Sequence, residues 1–118
     1  MNVKDFYEEV GGDYNEVFSQ LGDDESISIF LKKFIAKDEL NNLKNYLNKK
    51  KYKEAFICVH NMKGYGLNMA LTKLHEASSV LCEELRNGKP NVDIKPLVAN
   101  LEDAYNRIEK NISLLGLE

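Results

Sequence analysis

Between Val3 and Leu115 the apolar residues of this chain recur at three- and four-residue intervals, and nowhere do they alternate over the length of a strand. That spacing gathers them on one face of an α-helix, whereas a pleated strand would need period two. No Asn-Gly or Asp-Gly pair stands between two apolar runs, so the strongest hairpin signal is missing as well. Seven Gly, two Pro and no Trp also argue against a turn-rich β domain. The pattern predicts an all-α protein.

Helix starts and stops divide the pattern into segments. A first helix is expected over Val3–Val10, ending at Gly11-Gly12. Asp13, with Glu16 three residues on, reads as an N-cap and opens a short helix to Leu21-Gly22. Asp23-Asp24 opens the next, with Ile27, Phe30, Leu31, Phe34 and Ile35 as its apolar stripe. Asp38 reads as a cap before Leu40, Leu43 and Leu47. After a turn near Lys49–Lys51 come Tyr52, Ala55, Val59, Met62 and Gly66, then Leu71, Leu74, Ser78, Leu81 and Leu85. Asn87-Gly88-Lys89-Pro90 is a strong stop. Asp93 caps the last helix, which tolerates Pro96 in its first turn and carries Leu97, Leu101, Ala104, Ile108, Ile112 and Leu115.

Four amphipathic helices, at about 39–49, 52–68, 71–87 and 94–115, are joined by short connections. Short connections favour antiparallel neighbours, so an up-down-up-down four-helix bundle is the expected architecture. The bundle core would span about residues 38–115, with additional short N-terminal helices within 3–37 packing on it. A length of 118 residues fits a single domain over 1–118. A content of 43% hydrophobic and 30% charged residues excludes a disordered chain.

Net charge is −3, which weighs against a nucleic-acid binder. The charge is unevenly spread: residues 1–30 carry one Lys and eight acids, residues 31–70 nine Lys and three acids. The basic middle is a candidate docking surface for an acidic partner. Cys58 and Cys82 form no CxxC pair and no zinc spacing, and are expected to be reduced, half-buried thiols. No signal-peptide pattern opens the chain and no apolar run approaches the roughly 20 residues of a membrane span. The expectation is a cytoplasmic protein with no membrane contact.

The informative segment surrounds His60. On a wheel advancing about 100° per residue, with His60 at zero, Ala55, Val59, Met62 and Gly66 fall at about 220°, 260°, 200° and 240°. The core then lies near 230°, and His60 points about 130° away from it, toward solvent. Lys63 and Gly64 border it at i+3 and i+4. Each interior helical Gly costs about 1 kcal/mol relative to Ala. Close packing accounts for Gly66, which faces the core. Gly64 does not face the core, and an open approach to His60 accounts for it instead. A neutral imidazole, with an ordinary pKa of about 6.5, is a nucleophile near pH 7. If it takes a phosphoryl group, Lys63 supplies a mobile cation at the right spacing.

The run His60-Asn61-Met62-Lys63-Gly64 resembles the His-x-Leu-Lys-Gly core of histidine-containing phosphotransfer (HPt) domains. Tyr52 and Ala55 before it, Asn68, Met69 and Leu74 after it, and Arg86 further on extend the likeness. Met62 replaces the usual Leu, a volume-conserving exchange. Ala70 stands where the family has Gly at the end of the histidine helix, so Asn68 is expected to take the left-handed position. Cys82 stands where Gln or Glu often reaches toward the histidine, with Ser79 as a substitute candidate. The resemblance implies a four-helix bundle and receiver-domain partners, of response regulators or hybrid kinases. It implies that His60 accepts a phosphoryl group from a receiver aspartate and passes it to another receiver. The protein would be a transfer intermediate, not a turnover enzyme, with no cofactor and no metal of its own, because the Mg²⁺ belongs to the receiver.

Two other readings are open. One is a helical interaction module of the same fold without phosphotransfer, favoured by Cys82. The other is a metal or catalytic site using His60 and His75, the only two histidines, for which no HExxH pattern exists.

Overall fold

The computed structural model describes residues 1–116; Leu117 and Glu118 of the expected domain lie outside the described residues. Among the described residues there is no strand. The helices are α1 (Val3–Val10), α2 (Tyr14–Leu21), α3 (Asp24–Ala36), α4 (Glu39–Asn48), α5 (Tyr52–Asn68), α6 (Thr72–Leu85) and α7 (Lys95–Ile112). No helix is long and apolar enough to cross a membrane among these residues.

The starts of α2 and α3 are fixed by carboxylate caps. Glu16 N donates to Asp13 Oδ1 at 3.1 Å, and Ser26 N donates to Asp23 Oδ1 at 2.7 Å. Each bond satisfies an amide that has no partner within its own helix. Asp38 behaves differently from the expected cap. Its backbone is left-handed, at φ 55°, and its carboxylate takes the Asn41 side chain, not a backbone amide. At α7 the cap position falls on Ile94, and Asp93 reaches past it to accept from Lys95 N at 3.0 Å. Helices α6 and α7 are a little shorter than their expected ranges, since Arg86 to Gly88 and Ser113 to Gly116 continue as turns.

The antiparallel pair α5–α6 is the most extensive helix contact; α4 packs on α5 and α6 on α7. Lys44 Nζ in α4 meets Glu102 Oε1 in α7 at 2.9 Å. Helices α1 and α3 also pack on α7. The shared core includes Phe6, Ile27, Leu31, Leu43, Val59, Met62, Leu81 and Leu101. The stripe expected for α3 holds at Ile27, Leu31 and Phe34, but Phe30 is 43% exposed. Phe30 lies about 40° beyond Phe34 on the helix, outside the arc that faces the core.

A tight turn joins α5 to α6, and its geometry is a Schellman motif. Leu71 N donates to Gly66 O at 2.8 Å and Ala70 N to Leu67 O at 3.2 Å. Ala70 occupies the left-handed seat, at φ 54°, so Asn68 does not take that role. An L-residue there costs about 1–2 kcal/mol, and the N-terminal helices hold it in place. Asp13 N donates to Ala70 O at 2.9 Å, and Tyr7 Oη donates to Met69 O at 2.7 Å. Burial pushes the Tyr7 phenol well above its ordinary pKa, which keeps it a donor. Removing that hydroxyl leaves a buried carbonyl short of a partner. Tyr7→Phe is expected to lower the unfolding free energy by about 1–2 kcal/mol in urea melts. An unchanged midpoint and slope would show that Tyr7 does not clamp the turn.

Candidate functional site

Helix α5 buries one apolar face and presents a mixed polar and apolar face outward. Ala55, Cys58, Val59, Met62 and Gly66 are buried, while His60 is exposed on the opposite side. Around His60 lie Ile57, 52% exposed, Leu67, 62% exposed, and the half-buried Phe56. The wheel that places His60 outside also places these three within about 60° of it, so they were findable from the same arithmetic. Ile57 and Leu67 thus add exposed apolar area to the face that carries the imidazole.

The two glycines of α5 do opposite things. A Cβ on Gly66 would come within 2.8 Å of the His75 backbone nitrogen and 3.0 Å of its Cα. That glycine lets α6 approach the backbone of α5. A Cβ on Gly64 would meet nothing within 4 Å. Packing therefore places no demand for glycine at 64, whereas at 66 it does.

Cations flank His60 on two sides. On the α6 side, Lys63 is half-buried, and Arg86 pairs with Glu83 at 3.1 Å. Burial raises the Cys82 thiol above its ordinary pKa, with Lys63 and Arg86 pulling in the opposite direction. On the other side an open groove of about 500 Å³ runs past His60, lined by Phe34, Lys37, Glu39, Gly64 and Asn68 among others. Lys37 escaped the motif reading because it lies 23 positions before His60 and belongs to another element. Its only signal was membership of the basic block. Side-chain contacts tie one wall of the groove together: Phe34 stacks on Tyr65 with ring centroids 4.0 Å apart, and Tyr65 Oη donates to Phe30 O at 2.8 Å.

Of the residues read as orienting candidates, none hydrogen-bonds to His60. Ser79 Oγ donates to His75 O on its own helix at 2.7 Å. Cys82 is fully buried, and Cys58 nearly so, where half-burial was expected; both have apolar neighbours on the packed faces of α5 and α6. Cys58 Sγ donates toward Glu39 Oε2 at 3.1 Å, and burial raises its pKa further than that contact does. His75 Nδ1 lies 3.0 Å from Lys63 O, which only accepts, so Nδ1 carries the proton. His75 is thus tied to the α5 backbone. Among the described residues no three His, Cys, Asp or Glu side chains converge where a metal could sit.

The chain matches no family model, no curated protein and no solved structure. The geometry and the motif around His60 carry the functional argument.

The glycine pair gives a direct check on this geometry. Gly64→Ala is expected to stabilise the fold by up to about 1 kcal/mol, the backbone-entropy difference between the two residues. Gly66→Ala is expected to destabilise it by about 1–3 kcal/mol, because the new methyl meets backbone. Thermal melts of the two variants should move in opposite directions. Movement in the same direction would place the α5–α6 contact elsewhere.

Proposed function

We propose that this protein is a phosphorelay intermediate of the HPt type. In this reading α4 to α7 form the up-down-up-down four-helix bundle, α1 to α3 cover it, and α5 presents the phosphoacceptor His60. The unprotonated ring nitrogen attacks the phosphorus of a receiver's aspartyl phosphate. The acyl phosphate P–O bond breaks, a P–N bond forms, and the aspartate carboxylate leaves. The proton on the other ring nitrogen then passes to water. Reversal on a second receiver completes the relay. The protein turns over no substrate of its own, and its place of work is the cytoplasm, where receivers act.

The observation that carries this reading is the empty space over Gly64, one turn from an exposed His60. A receiver's active-site loops need that space to bring phosphorus to the ring. Lys63 offsets the charge that the phosphoryl group brings, as a point cation with mobile reach. Ile57 and Leu67 supply apolar area for a transient docking contact. The nine lysines of residues 31–70 supply a field that speeds encounter with an acidic receiver pocket.

A second reading is a docking module of the same fold that transfers nothing. It is favoured by the lack of any hydrogen bond to His60 from Cys82 or Ser79. Incubation with a phosphorylated receiver, followed by intact-mass measurement under alkaline conditions, separates the two. The relay reading predicts one added phosphoryl group, mapped to His60 and absent from His60→Gln. Label on His75 would overturn the assignment to His60, and an unmodified parent protein that still binds receiver would favour the docking module.

A further inference from the structure

A phosphoacceptor imidazole needs a defined ring direction, because the attacking lone pair must lie in line with the incoming phosphorus. No described residue gives His60 a hydrogen bond that would set it. Phe56, one turn earlier on α5, lies with its ring centroid 5.9 Å from that of His60, at an interplanar angle of 43°. That separation is within the range of about 4.5–7 Å over which aromatic rings attract through their quadrupoles. Phe56 is itself held from α6. The Arg86 guanidinium carbon sits 5.6 Å from the Phe56 ring centroid, a cation–π distance. Arg86 in turn is held by Glu83, through Nη2 at 3.1 Å and Nε at 3.3 Å to the same oxygen. The four side chains form one connected series, Glu83–Arg86–Phe56–His60, running from the end of α6 to the outer face of α5.

We propose that Phe56 is the positioning residue for His60, and that Arg86 fixes Phe56 from the neighbouring helix. A ring contact then supplies the orientation that a hydrogen bond from position 82 cannot supply here, because the side chain there is a buried thiol. The inference takes its catalytic meaning from the phosphorelay reading, but the orientation itself is a property of the free protein. Phe56→Leu keeps apolar bulk on the half-buried site and removes the aromatic face. Arg86→Met keeps a long apolar stem and removes the charge from an exposed position.

The experiment compares the full chain with Phe56→Leu, Phe56→Tyr, Arg86→Met and Arg86→Lys. Two quantities are read: the order of the His60 ring by NMR relaxation, and the transfer rate at saturating phosphorylated receiver alongside the half-saturating concentration. Phe56→Leu should loosen the His60 ring and lower the saturated rate about two- to ten-fold, with half-saturation little changed. Arg86→Met should act in the same direction, and Phe56→Tyr and Arg86→Lys should restore both readouts. A His60 ring as ordered in Phe56→Leu and Arg86→Met as in the parent would overturn the proposal. So would an effect confined to half-saturation, which would make Phe56 a docking residue. If the parent takes no phosphate the relay reading fails, and ring order alone then decides whether Phe56 positions His60. If Phe56→Leu melts far below the parent, Arg86→Met carries the test with the same two outcomes.

Discussion

The close approach of α5 and α6 at Gly66 is the contact on which the rest of the molecule depends. A methyl group there would sit 2.8 Å from the His75 backbone nitrogen, so the two helices meet with nothing between them. One turn later the chain reverses through a Schellman turn whose first acceptor is the Gly66 carbonyl. The same short stretch therefore fixes both the spacing and the antiparallel sense of the pair. The turn contains a left-handed alanine, and α1 and the α1–α2 junction supply the hydrogen bonds that hold it. The N-terminal helices thus close one end of α5–α6 as well as adding to the core.

Fixing α5 by its inner face determines what its outer face can do. Helical geometry puts His60 about 130° from the buried direction, and no other element crosses over it. Residues 64 and 66 are about 200° apart on the same wheel, so one glycine meets a helix and the other meets solvent. The side chains beside His60 come from three places: Phe56 and Lys63 from α5, Arg86 from the end of α6, and Lys37 from the end of α3. The imidazole is bordered by these cations and by apolar groups, with Glu39 as the acid in the groove beside it.

Much of this was legible in the sequence because it follows from local rules. The bounds of α1, α2 and α5 coincide with those read from spacing and from glycine and aspartate signals. The exposure of His60 and the burial of Ala55, Val59, Met62 and Gly66 followed from helical arithmetic alone. What stayed hidden depends on tertiary contacts. Asp38 has the composition of a cap but a left-handed backbone, and Ala70 holds a seat that composition assigns to glycine or asparagine. Tyr7 and Tyr105 are among the largest fully buried side chains, although a tyrosine on an amphipathic helix reads equally well as an edge residue. Phe30 lies on the expected stripe by spacing, but α3 is covered over a narrower arc than its apolar residues span. Lys37 and Arg86 reach the site only through the packing of α3 and α6 against α5.

The central claim is that position 64 is kept bare for a partner and not for the fold. The most direct measurement replaces Gly64 with Gln, and follows both the thermal melt and the rate of phosphoryl transfer from a receiver. The account predicts a melting temperature no lower than the parent's, with transfer much slower, because the added side chain fills the space the receiver's loops must enter. A stable variant that transfers at the parental rate would contradict it.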